Sequence, residues 1–251
     1  MTALITGAST GIGRDMAVYL SELGYDLIIT ARDRQKLLEL KSSLSTRVKV
    51  IVADLSCSEN AVKLYNCCKH MNIDLLVNNA GLGVVGEFEK TSLEKEVELI
   101  NVNVTSLHVL TKLFYKDFKK RNHGMILNVA SSAAFYPGPL MAAYYASKNY
   151  VLNLSQALRR EIKNSKSKVR ISVLCPGPVA TQFNIRAGVT NSFKPADSAS
   201  VARYAIDEML KGRFYIIPTL KMKLVLFGSS FIPADIKSGM VYKIQKNKKP
   251  L

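Results

Sequence analysis

Tryptophan is absent from this 251-residue chain, and its four cysteines form no recognisable set. Cys57, Cys67, Cys68 and Cys175 match neither a metal-ligand nor a redox spacing, so no metal site and no disulfide framework is expected. No apolar run is long enough to span a bilayer. No charged region with an apolar core precedes Met1–Thr6, which reads as a strand entering a glycine turn, and the expected location is the cytoplasm. Acid is scarce too: 19 Asp and Glu stand against 35 Lys and Arg, a formal charge of +16. That balance raises nucleic acid or a membrane as partners. The lysines, however, are scattered over helical stretches that also carry acid, as in Glu94, Lys95, Glu96 and Glu98, and no groove-reading element is evident, so no nucleic acid is expected. Charge is concentrated only from Lys221 onward, with seven lysines and one acid, Asp235. This tail reads as a solvated extension in preference to a peripheral contact with an anionic membrane through Leu224, Leu226 and Phe227.

What is present is a chain nearly half apolar, at 48%, with length enough for one large core. Short apolar runs at Ala3–Thr6, Leu27–Thr30, Val48–Val52, Leu75–Asn78, Met125–Val129, Ile171–Cys175 and Tyr215–Ile217 have the continuous character of strands covered on both faces. Amphipathic stretches alternate with them: Ile12–Leu23, Arg34–Ser43, Glu59–His70, Leu93–Phe118, Tyr144–Asn164 and Ser198–Lys211. This order predicts an α/β fold, doubly wound, with a mainly parallel seven-stranded sheet and helices on both faces. Residues 1–220 read as one domain and 221–251 as its basic extension. Ser131–Met141 and Pro176 to about Pro195 break the rhythm. Both loops belong at the carboxyl ends of strands, where ligands bind such sheets, and the second is long enough for a lid.

Gly7-Ala8-Ser9-Thr10-Gly11-Ile12-Gly13 joins the first strand to the first helix. Its glycines permit a tight turn and close approach of backbone to ligand, and the helix start offers amides to a pyrophosphate. The second strand ends in Thr30-Ala31-Arg32, where an NAD site usually carries an acid. Arg32, with Arg14 nearby, suits a 2′-phosphate, so NADP(H) is preferred over NAD(H). Tyr144 and Lys148 stand four residues apart, on one face if helical. A cation beside a phenol lowers its pKa and would let it exchange protons near neutrality.

Taken in order, these segments resemble the short-chain dehydrogenase/reductase family, the single-domain type of about 250 residues. The resemblance runs from Thr6 to about Ile217 through the glycine turn, Asp54, Asn78-Asn79-Ala80-Gly81, Asn103, Ser131 thirteen residues before Tyr144, and Pro176-Gly177 with Thr181. It implies a Rossmann-type fold and an oxidoreductase passing hydride between a nicotinamide and a carbonyl or secondary alcohol. Its catalytic residues would be Asn103, Ser131, Tyr144 and Lys148. Cofactor contacts would fall on Gly7, Ser9, Thr10, Gly11, Ile12, Gly13, Arg32, Asp54, Leu55, Asn79, Ala80, Gly81, Tyr144, Lys148, Pro176, Gly177, Val179 and Thr181, with no metal. By spacing, Ser131 is preferred to Ser132 and Tyr144 to Tyr145. Val84, Phe135, Tyr136, Met141 and Phe183 are candidates for the substrate side. The resemblance also implies a homodimer or homotetramer acting on a small molecule. A non-catalytic NADP-binding sensor or scaffold is the alternative.

Overall fold

In a computed structural model, residues 1–183 and 195–247 are described. The elements run β1 (Thr2–Thr6), α1 (Gly11–Glu22), β2 (Asp26–Ala31), α2 (Arg34–Ser42), β3 (Val48–Val52), α3 (Ser58–Cys68) and β4 (Ile73–Asn78). After these come α4 (Leu93–Ile100), a π-helical segment (Asn101–Ser106), α5 (Leu107–Arg121), β5 (Met125–Val129) and a 3₁₀ turn (Ser132–Phe135). The described chain continues with α6 (Ala142–Asn164), β6 (Arg170–Leu174), α7 (Ser198–Leu210), β7 (Tyr215–Ile216), α8 (Leu220–Ser229) and α9 (Ala234–Lys246). Every strand pairing is parallel, in the order β3-β2-β1-β4-β5-β6-β7. The strand order reverses between β1 and β4, which opens a crevice at their carboxyl ends.

Strand periodicity divides the core into two layers. Ala3, Ile5, Leu75, Val77 and Leu127 point to one side, against Met16 and Leu20 of α1 and Val201, Ala205 and Met209 of α7. Their neighbours Leu4, Leu76 and Ile126 point to the other, against Leu64 of α3, Phe114 and Phe118 of α5, and Val151 of α6. Successive strand residues face opposite ways, so strands covered on both faces carry consecutive apolar residues, as Ala3–Ile5, Leu75–Val77 and Met125–Leu127 do. Burying each large side chain contributes about 1.5–3 kcal/mol.

Two elements differ from the sequence expectation. The stretch Leu93–Phe118 is not one α-helix, because Asn101–Ser106 widens into a π turn. There Asn103 turns inward to exchange two hydrogen bonds with the Leu82 backbone, at 2.8 and 3.0 Å. A local polar contact thus overrides helical period, as π turns at functional sites commonly do. The basic tail is also more ordered than a solvated extension: α8 and α9 lie over the 3₁₀ turn and α6 through Tyr136–Ser229 (2.8 Å) and Tyr145–Gln245 (2.7 Å). Leu226, which a membrane contact through the tail would have used, is buried.

Candidate active site

A cleft of about 470 Å³ lies at the carboxyl ends of the strands. The glycine turn forms its floor at one end. Gly7 and Gly11 adopt φ of +66° and +56°, the left-handed region that favours glycine. A Cβ on Gly7 would come within 2.8 Å of the Ala80 backbone. Thr10, at the start of α1, makes no side-chain capping bond, so the first-turn amides face the cleft uncapped by it. Asn79 fastens the turn: its side-chain amide donates to the carbonyls of Thr6 (3.0 Å) and Gly7 (3.2 Å). The Thr6 hydroxyl in turn accepts from the amides of Asn79 and Ala80, both at 3.0 Å. The ends of β1 and β4 are thereby locked together at the reversal of strand order.

Ser9, Thr10, Gly11, Ile12, Arg32, Asp54, Leu55, Asn79, Ala80 and Gly81 line this end, and Pro176, Gly177, Val179 and Thr181 close over it. Gly13, expected among the cofactor contacts, does not line the cleft. A Cβ there would meet the Asn79 side chain at 2.2 Å and the Gly7 carbonyl at 2.6 Å, so its role is packing of α1 against the turn. Arg32 is not an isolated cation either. Its guanidinium donates to Glu98 at 2.7 Å, and its charge also acts on Asp54. Burial works against the Asp54 charge, but hydrogen bonds from Ser56 and the Arg32 charge outweigh it and hold the carboxyl below its ordinary range. The end of β2 carries no acid of its own, as its sequence indicates, but Glu98 reaches it from 66 positions away. No pattern near Arg32 in the sequence signals this pairing.

At the other end, β5 leads into Ser131 and α6 presents Tyr144 and Lys148. The Ser131 hydroxyl accepts from the Ala133 amide at 3.1 Å, which fixes its direction, and it lies near enough to the Tyr144 hydroxyl to favour its ionised form. Tyr144 stacks at an angle on Phe183, with ring centroids 5.4 Å apart. Lys148 is 4% exposed, donates to the Val129 carbonyl at 3.0 Å, and stands 5.8 Å from the centre of the Tyr144 ring. Tyr145 is turned elsewhere and accepts from Gln245. Ser132 is held through its backbone by Pro176.

The charge states run against the simple picture of a cation acidifying a phenol. Burial pushes the Tyr144 hydroxyl up to about 12, only partly offset by Ser131. Burial also brings Lys148 down to about 8, with a small opposing contribution from buried Cys175. With rising pH Lys148 therefore loses its charge before the free phenol ionises, whereas at neutral pH it keeps its proton. At neutral pH the pair is ammonium and neutral phenol, the form suited to giving a proton. Asn103 sits one layer deeper, off the cleft wall, and donates to Ser147 at 3.0 Å. A Cβ on Gly81 would stand 3.4 Å from both the Asn103 carbonyl oxygen and the Lys148 nitrogen, so all three groups meet beneath Gly81.

Of the substrate-side candidates, Met141 and Phe183 line the cleft, whereas Val84, Phe135 and Tyr136 do not. Tyr136 instead holds α8. Tyr145 and Gln245 complete that wall; Gln245 carries no sequence signal, since its partner lies 100 positions away. The lid expected between Pro176 and Pro195 falls largely outside the described residues. The base of that loop is closed where Ala180 and Pro178 pair with Ala196, both bonds at 2.9 Å. Among the described residues, no cluster of metal-ligating side chains occurs and no helix is long and apolar enough to cross a membrane.

Comparison with known proteins agrees with this architecture. The 2-dehydro-3-deoxy-D-gluconate 5-dehydrogenase of Bacillus subtilis is 33% identical over 186 residues, covering 72% of this chain and 71% of that protein. Curated relatives are matched over about two thirds of their own length. A short-chain dehydrogenase from Sphingobium yanoikuyae in complex with NADPH superposes with a TM-score of 0.82 at 28% identity, covering 91% of this chain and 92% of that one. A short chain dehydrogenase/reductase from Burkholderia phymatum in complex with NAD gives 0.81 at 25%, covering 90% and 91%. The family model for the short chain dehydrogenase matches residues 1–191. With seven parallel strands in this order and a cleft at their reversal, the chain belongs to the short-chain dehydrogenase/reductase family of oxidoreductases.

Proposed function

We propose that this protein is an NADP(H)-dependent reductase of carbonyl compounds, running in reverse as a secondary-alcohol dehydrogenase. The observation that carries the reading is one continuous cleft holding a glycine turn and Arg32 at one end, and Ser131, Tyr144 and Lys148 together at the other. The residues present fit the dinucleotide. The Gly7–Gly13 turn would cradle its pyrophosphate, Asp54 and Leu55 would flank the adenine, and Arg32 would meet the 2′-phosphate once drawn from Glu98. Bound NADPH would supply the hydride.

The remaining chemistry belongs to the chain. Ser131 holds the substrate oxygen and stabilises the charge that develops on it. Tyr144, which keeps its proton at neutral pH, delivers that proton to the oxygen. The Lys148 ammonium stabilises the phenolate left behind and positions the nicotinamide ribose. Asn103 orients a water through which Lys148 exchanges protons with solvent. A phenol that favours its protonated form supports the reductive direction.

Residues 1–220 act as one catalytic domain in this reading, with α8 and α9 as its extension, and the protein works in the cytoplasm as a homodimer or homotetramer. Exposed Leu93, Val97 and Ile100 on α4 support an interface between copies. A panel of carbonyl compounds, followed by absorbance of the reduced nicotinamide with NADPH and NADH in parallel, tests the function. Turnover is expected with NADPH. A faster reaction with NADH overturns the reading of Arg32, and full activity in Tyr144→Phe overturns that of Tyr144.

A further inference from the structure

α8 and α9 face the cleft with one side only. Leu226, Val241 and Gln245 are buried, and the Met222 methyl lies against Gly177. Their other side is apolar as well. Leu220, Leu224, Phe227 and Phe231 repeat at helical spacing, and the last three are 63%, 69% and 76% exposed. The Phe227 and Phe231 rings touch edge-on, with centroids 5.5 Å apart, forming a ridge. On α9, Ile236 and Met240 are exposed, with Lys243 following at the same spacing.

Such a face is costly in water and marks a contact surface. Its charge selects the partner. α8 holds no acid, and α8 and α9 together carry Lys221, Lys223, Lys237, Lys243 and Lys246 against the single acid Asp235. A second copy seated on this ridge would set like charges against each other. A layer that is apolar within and negative at its surface answers both features. We propose that the outer face of α8 and α9 docks on an anionic phospholipid surface, with Leu224, Phe227 and Phe231 entering the headgroup boundary and the surrounding lysines meeting phosphate. This docking is independent of the catalytic reading.

Flotation of the full chain tests it, with vesicles of phosphatidylcholine alone and with roughly one third phosphatidylserine. The protein is expected to float with the anionic vesicles, to be released as salt rises, and to bind neutral ones far more weakly. The triple variant Leu224→Ser/Phe227→Ser/Phe231→Ser should lose at least about tenfold in binding, with circular dichroism and melting temperature reporting that it still folds. Lys243→Glu, which leaves the ridge intact, should weaken anionic binding several-fold by itself. Absence of vesicle binding by the wild-type chain overturns the proposal, as does unchanged binding in both variants. Sedimentation showing that the triple variant dissolves an oligomer, while vesicles capture nothing, assigns the face to a second copy and also overturns it.

Discussion

Replacing Glu98 by Gln isolates the electrostatics of the adenosine end without touching the reacting groups. Arg32 and Glu98 form a bond of 2.7 Å between partly exposed side chains. An exposed ion pair of this kind is worth about 0.2–1 kcal/mol. A 2′-phosphate drawing Arg32 away must overcome that attraction, and it also meets the Glu98 charge, which costs about 1 kcal/mol at contact distance in a solvent-like dielectric. Removing the carboxylate should therefore improve NADPH binding by about 1–2 kcal/mol, or roughly 5- to 30-fold in Kd. NADH, which lacks the phosphate, should change by less than about twofold. Titration of nicotinamide fluorescence at low salt gives both constants, and the NADPH gain should shrink at high salt as the charges are screened. Equal tightening for both dinucleotides, or none for NADPH, would refute the idea that Arg32 is contested between a carboxylate and a phosphate.

Tyr144→Phe should cut turnover by about 10²–10⁴-fold, the usual worth of a positioned acid, while NADPH fluorescence titration gives an unchanged Kd. Because burial brings Lys148 to about 8, it is charged below that pH and neutral above it, so kcat/KM for reduction should fall as pH rises through about 8. Lys148→Met should be slower throughout and lack that inflection in the same pH profile. Gly13→Ala would push a methyl to 2.2 Å from Asn79. Relief of such a clash costs about 1–3 kcal/mol, which calorimetry should register as a melting temperature lowered by roughly 2–12 °C.

The fold was readable in the sequence wherever burial on both faces dictates residue type. All seven strands of the sheet fall within two residues of the apolar runs, because a covered strand admits little polar character. The glycine turn was equally legible, since positive φ at Gly7 and Gly11 restricts what can stand there. Polar contacts over long sequence separation were not. Glu98 belongs to an amphipathic helix and looks solvated until folding carries it to Arg32. The π turn that directs Asn103 inward leaves no trace in a hydrophobic period. Two phenols in succession differ in the sequence only by spacing, whereas in space Tyr144 turns to Ser131 and Tyr145 to Gln245. Spacing gave the proximity of Lys148 and Tyr144 but not the effect of burial, which pushes the phenol up and the ammonium down.

Gln245 also has a side-chain carbonyl that is buried and meets no donor among the described residues. Its amide is already spent on Tyr145, so this oxygen is an idle acceptor in the wall of the cleft. One wall of the cleft thus depends on a residue late in α9, whereas Ser131, Tyr144 and Lys148 come from the end of β5 and from α6, about a hundred positions earlier.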